Sequence, residues 1–275
     1  KMTKENWKNT KAKNTFVSYS CNMVPESIDS GNFSSYYWGG LTDLLKSKNI
    51  ETNWLHIYVE DNLLSGPTQL KKIIRQFNMN EKGDCNHVIL QSFINIKVVL
   101  ELFSIWFLLI LKYPVFKKTI QSQSGCFWPL LTDDIKNSIL GPNAIQNIFF
   151  QSLFNRAFSL LPKQSSCYYL QENQGWESGM INAYKKSEHY NIIGVPHVAM
   201  KYWDLRHYHI PSSLNIKEKY SKPLPDKVAL NGDAAVKLYL ESGYNQNKIV
   251  MVEALRFMHL KRYCKASLEG GGDDG

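Results

Sequence analysis

Two short clusters in this chain carry residue types able to do chemistry. The first, Gln171-Glu172-Asn173-Gln174-Gly175-Trp176-Glu177, puts two carboxylates, three amides and an indole directly after the apolar run Tyr168-Tyr169-Leu170. The second starts at His197, after Ile192-Ile193-Gly194-Val195-Pro196, and continues through Lys201, Trp203, Asp204, Arg206, His207 and His209. Each begins where a short apolar strand gives way to polar side chains. α/β proteins place reactive groups in this way at the carboxyl edge of a parallel sheet.

Amides beside an indole suit sugars, because hydroxyls need paired donors and acceptors and the apolar face of a pyranose packs on an aromatic ring. Asn173, Gln174 and Trp176 are therefore candidate substrate contacts. Glu172, at the strand end, is placed to take a proton from an attacking hydroxyl. Glu177 is either a further contact or a first-turn carboxylate that complements the helix dipole. His197 is either a catalytic imidazole or a satisfied structural one. Lys201 and Arg206 could hold a phosphate or an acidic sugar, with Trp203 stacking and Asp204 alongside, or the run could be an edge strand with ordinary surface charges. His197, His207 and His209 match no common ligand spacing, so no metal is expected. A third polar-aromatic loop, with Tyr37 and Trp38 between Tyr36 and Gly39-Gly40, follows the first predicted strand and suits an acceptor.

The elements that must position these groups alternate. Residues 15–20, 54–59 and 87–91 are short and rich in β-branched or aromatic residues, and helical spacing lies between them near 39–48 and 68–77. Gly141-Pro142 opens a helical pattern that Pro162 ends. Beyond it come strands at 167–170, 191–195, 227–230 and 249–252 and helices at 176–188 and 234–241. This pattern predicts an α/β, Rossmann-like, mostly parallel sheet with helices on both faces. The expected organisation is a polar N-terminal segment over 1–14, one domain over 15–260 with a helical insert at about 95–162, and a flexible tail over 261–275.

Composition bounds the function without choosing it. At 275 residues and 44% hydrophobic content the chain can bury a large core. A net charge of +8 fits an anionic partner, but the lysines are scattered, which favours solvated faces over a nucleic-acid stripe. Five cysteines with no C-x-x-C pair support neither a zinc knuckle nor a disulfide framework. The polar N-terminus lacks the apolar core of a secretory signal, so a cytoplasmic location is expected. Val98 to Leu111 is apolar on nearly every helical face, yet at about fourteen residues falls short of the roughly twenty of a span. It reads either as a buried core helix or as a docking surface at the inner face of the cell membrane, with Lys112, Lys117 and Lys118 meeting anionic headgroups.

The chain contains no G-x-x-x-x-G-K-[ST], G-x-G-x-x-G or G-x-S-x-G run and no Asp-x-Asp pair. NTPase, dehydrogenase and α/β-hydrolase readings lose weight accordingly.

Several runs carry a resemblance: Tyr36-Tyr37-Trp38-Gly39-Gly40-Leu41, Asn53-Trp54-Leu55-His56, Trp128-Pro129-Leu130-Leu131, Tyr169 through Glu177, Gly194-Val195-Pro196-His197, Tyr202-Trp203-Asp204-Leu205-Arg206 and Val252-Glu253-Ala254-Leu255-Arg256. Over roughly residues 15–260 the chain resembles bacterial surface-carbohydrate biosynthesis proteins, glycosyltransferases of capsule or lipopolysaccharide assembly. The resemblance implies one half of a GT-B-like architecture, the acceptor-side N-terminal domain, with a C-terminal donor domain missing after Arg256. It implies a nucleotide-sugar donor, a glycan acceptor and metal-independent transfer, and an isolated fragment without activity. A non-catalytic glycan-binding or assembly module of the same pathway is the other expectation.

Overall fold

A computed structural model describes residues 2–62, 64–197, 205–207 and 222–257. Seven strands form one all-parallel sheet: β1 (Asn14–Tyr19), β2 (Thr52–Ile57), β3 (Cys85–Ile89), β4 (Ser166–Gln171), β5 (Asn191–Pro196), β6 (Lys227–Leu230) and β7 (Ile249–Met251). Their order is β3-β2-β1-β4-β5-β6-β7. The α/β, Rossmann-like expectation holds.

The alternation of side chains along each strand builds two cores. Val17, Leu55, Cys167 and Tyr169 face one side, where they meet Leu153, Phe154 and Phe158 of α7 (Pro142–Ser159) and Met180 and Tyr184 of α8 (Gly175–Lys186). Their neighbours Phe16, Trp54 and Leu170 face the other side and pack against Leu70, Ile74 and Phe77 of α4 (Pro67–Asn80). Strand β2 is buried throughout, as a central parallel strand covered on both faces must be. A smaller cluster of Val228, Leu230, Ala235 and Tyr239 seats α9 (Asp233–Glu241) at the far end of the sheet.

The polar N-terminal segment belongs to this fold. Helix α1 (Met2–Lys8) buries Trp7 completely, and the indole donates to the Ala157 carbonyl at 2.8 Å. Its polarity is that of a surface helix with a single anchor. Two short helices, α2 (Pro25–Ser30) and α3 (Leu41–Ser47), follow β1. Between them Gly39 adopts φ +49°, and a Cβ there would collide with the Leu255 carbonyl. Only glycine lets the two segments meet.

Between β3 and β4 the chain is helical: α7 packs into the core, and the two helices before it are largely exposed. Helix α5 (Ile96–Ser124) runs 29 residues, about twice the apolar segment that marks it in the sequence, and α6 (Trp128–Ile139) follows it after a short turn at Gly125–Phe127. The Trp106 indole donates to Leu140 O at 2.9 Å, and Val98 and Glu101 lie beside Ser152 and Arg156, so α5 runs antiparallel to α6 and α7. By length and composition Ile96–Ser159 includes a stretch able to cross a membrane, and 6% of its most apolar 18-residue window is buried. The core-helix reading of Val98 to Leu111 is thereby overturned.

Candidate active site

The chain leaves β1 in one direction to build β2 and β3, then returns to place β4 on the other side of β1. Between the carboxyl ends of β1 and β4 the two halves of the sheet diverge. Ligands of open α/β sheets bind in this crevice. Tyr19 ends β1, Gln171 ends β4 and Pro196 ends β5, so Glu172 and His197 emerge side by side.

The backbone after β4 is shaped by Asn173, which adopts φ +58°, a left-handed conformation that asparagine tolerates better than most residues. This turn directs the N–H groups of both Glu172 and Gln174 at Glu177 Oε1, at 2.9 and 3.0 Å, closing a capping box on α8. Glu177 is 3% exposed, and its carboxylate caps a helix, so the substrate-contact reading gives way to the first-turn reading. Burial pushes its carboxyl up to about 7, against the pull of the backbone N–H donors.

Glu172 Oε1 lies 3.2 Å from His197 Nε2, and Glu172 Oε2 accepts from the Gln174 amide at 3.3 Å. The hydrogen bond from His197 holds the Glu172 carboxyl below its ordinary range against the opposing effect of burial, and the Arg206 guanidinium adds to that pull. Glu172 is thus an anion at neutral pH. His197 is buried, and its Nδ1 has no hydrogen-bond partner among the described residues. The Tyr37 ring meets the imidazole edge to face at 4.2 Å. This brings the loop after β1 to the end of β5, where Tyr37, Val195, His197, Asn231 and Glu253 line a small depression. The Tyr19 hydroxyl is raised by burial and by the adjacent carboxylates of Glu172 and Glu177.

Two expected aromatic contacts serve the core instead. Trp38 is 1% exposed and packs edge-on against Phe16 and Trp54. Trp176 is half-buried, stacked on Phe154 at 5.7 Å and 17°, with Tyr19 against it edge-on. Loop aromatics read as sugar platforms are here the lid of the hydrophobic core, which gains more from burying an indole than solvent does. Asn173 donates toward His207 Nδ1 at 3.2 Å and accepts from Gln171 Nε2 at 2.9 Å, so its amide is committed to the protein. Arg206 is exposed. Lys201, Trp203, Asp204 and His209 lie outside the described residues.

Sequence spacing gave no hint of a second polar cluster, on the face of the sheet that α4 covers. His56 Nε2 is 3.0 Å from His87 Nδ1, His87 Nε2 is 2.8 Å from Glu81 Oε2, and Lys46 Nζ is 2.7 Å from Glu81 Oε1. Phe33 N–H also donates to Glu81 at 2.7 Å. Burial alone would raise Glu81, but His87 and Lys46 bring its carboxyl down to about 2. Both imidazoles are lowered, chiefly by burial. Glu81, Cys85 and His87 hold their ligand atoms within 4.8 Å of one another, a donor set that suits a borderline-soft cation. The carboxylate and imidazole are nonetheless hydrogen-bonded to each other, and Cys85 Sγ to Thr52 Oγ1 at 3.2 Å, so these three groups are already engaged by the protein, while His56 Nδ1 has no partner among the described residues. The signal available in the sequence was His56 and His87 on strands that become neighbours; it needs the register of β2 on β3 to be seen.

No family model matches this chain, and no curated protein or solved structure does.

Proposed function

We propose that this chain is the acceptor-side domain of a glycosyltransferase that moves a sugar from a nucleotide-sugar donor onto a bacterial surface polysaccharide of the capsule or lipopolysaccharide type. The observation that carries the reading is the Glu172–His197 pair at the carboxyl ends of β4 and β5, beside the sheet's switch point, 3.2 Å apart and bordered by the Gln174 amide and the Tyr37 ring. In this reading Glu172 takes the proton of the acceptor hydroxyl as its oxygen bonds to the anomeric carbon and the nucleotide diphosphate departs with the electrons of the broken C–O bond. His197 orients the carboxylate through Nε2 and stabilises the negative charge of the leaving group. The donor domain and the metal-independent character belong to the same proposal.

The lowered Glu172 carboxyl favours a second reading, because a carboxylate held below its usual range is a weaker base. A non-catalytic glycan-binding or assembly module would use the same groove without proton transfer. Saturation-transfer NMR with nucleotide sugars and acidic glycans separates the two. Binding of nucleotide sugar supports the enzyme; a glycan signal alone supports the module; neither signal discards both.

A further inference from the structure

We propose that the outer face of α5 docks on the surface of an anionic phospholipid bilayer, with the helix lying in the membrane plane. This proposal is independent of the glycosyl-transfer reading. Ile96, Leu100, Phe103, Phe107, Leu111 and Val115 recur every three or four residues and form one stripe, and each is between 56 and 70% exposed. At 1.5 Å per residue the stripe is about 28 Å long. Monomeric soluble proteins rarely leave so continuous an apolar surface in water.

Among the described residues nothing covers this stripe. The opposite face of α5, with Leu102, Trp106, Leu109 and Tyr113, is the one turned to α6 and α7, as the Trp106 bond to Leu140 shows. A helix that is apolar on both sides has one side left for another medium. Charge identifies that medium. Between Lys97 and Lys118 there are four lysines, Lys97, Lys112, Lys117 and Lys118, against the single carboxylate of Glu101. On a helical projection Lys112 and Lys117 fall on opposite flanks of the stripe and Lys118 closes its end. Apolar residues in the centre with lysines at the borders match the depth profile of an interfacial helix over anionic headgroups.

The hairpin also stands on the side of the candidate site. A Cβ on Gly175, at the start of α8, would sit 3.0 Å from the Asn147 amide, which fixes this part of α7 at the carboxyl edge of the sheet. Leu140, α6 and the distal half of α5 precede it and extend outward from that edge.

The test uses the full chain with vesicles of phosphatidylcholine alone or mixed with phosphatidylglycerol. Flotation with the mixed vesicles is expected, weakening as salt is raised. Phe103→Glu/Phe107→Glu, two exposed positions, should reduce partitioning at least tenfold, and Lys112→Glu/Lys117→Glu/Lys118→Glu should abolish the preference for the anionic lipid. Circular dichroism checks that both variants remain folded. A fluorophore on Ser104→Cys, an exposed polar position beside the stripe, in a background with Cys21, Cys126 and Cys264 replaced by serine, should shift to the blue on vesicle addition and gives a readout that leaves the six apolar side chains in place. Unchanged partitioning of the double variant, or a label that stays in water, overturns the proposal. So does absence of flotation: a dimer broken by Phe103→Glu/Phe107→Glu would then assign the stripe to a second copy of the chain, and a monomer would leave no lipid role for it.

Discussion

Gly194 leaves the space that Gln171 fills: a Cβ on Gly194 would collide with Gln171 Oε1 and come within 3.1 Å of the Tyr169 hydroxyl. The two residues lie on adjacent strands, β5 and β4, and Gln171 in turn donates to Asn173 at 2.9 Å. One missing methyl thus holds the amide that steadies the left-handed turn before α8. Gly194→Ala should destabilise the fold by about 1–3 kcal/mol through overpacking. Urea unfolding of the two proteins measures this, and an unchanged midpoint would mean that Gln171 relocates without cost.

Glu172→Gln keeps size and hydrogen bonding but cannot accept a proton. In an enzyme assembled with its donor domain, transfer should fall by about a hundredfold or more while the thermal midpoint moves little. His197→Gln should also lower turnover. An unimpaired rate in Glu172→Gln would shift the proton acceptor elsewhere and favour the module reading.

Glu81 supplies an acid-sensitive element. Its folded carboxyl lies at about 2, below its ordinary 4.5, so its contribution is present above pH 4.5 and lost as pH falls toward 2. Glu81→Gln should remove that acid limb from the stability profile and cost about 3 kcal/mol at neutral pH, since Lys46 and His87 lose their anion. Denaturant titrations across this pH range read both effects.

Glu177 works in the opposite direction. With its folded carboxyl raised from 4.5 to about 7, its favourable contribution is complete below pH 4.5 and disappears as pH rises through 7. Glu177→Gln retains an acceptor for the two backbone N–H groups and needs no buried charge. The variant should equal or exceed the parent in stability above pH 7 and show a flatter profile below it. A variant less stable at pH 8 would show that the charged cap outweighs its burial.

Strand ends were legible because a parallel strand buried on both faces is a short apolar run, and its last residues must turn polar on reaching solvent. That is why Glu172 and His197 could be paired from sequence although 25 residues separate them. Trp38 and Trp176 were misread for the converse reason: a loop aromatic looks the same locally whether it points outward or closes over Phe16 or Phe154. All-round apolarity in Val98 to Leu111 was equally ambiguous, since periodicity records that a helix avoids water and not what replaces it. The His56–His87–Glu81–Lys46 network left no spacing to find, because its members come from β2, β3 and the helices beside them.

The strand order has a consequence for how the protein assembles. Strands β1, β2 and β3 pair with neighbours close in sequence, and so do β4 through β7, whereas Tyr169 meets Val17 across more than half the chain. Contacts between residues far apart in sequence form slowly, because the intervening loop must be closed first. The candidate site lies on that seam. Two sub-sheets can form early, each carrying part of the chemistry: Tyr19 and Tyr37 on one, Glu172 and His197 on the other. The crevice exists only once the two are docked, and the intervening hairpin can vary in length at small entropic cost to that closure.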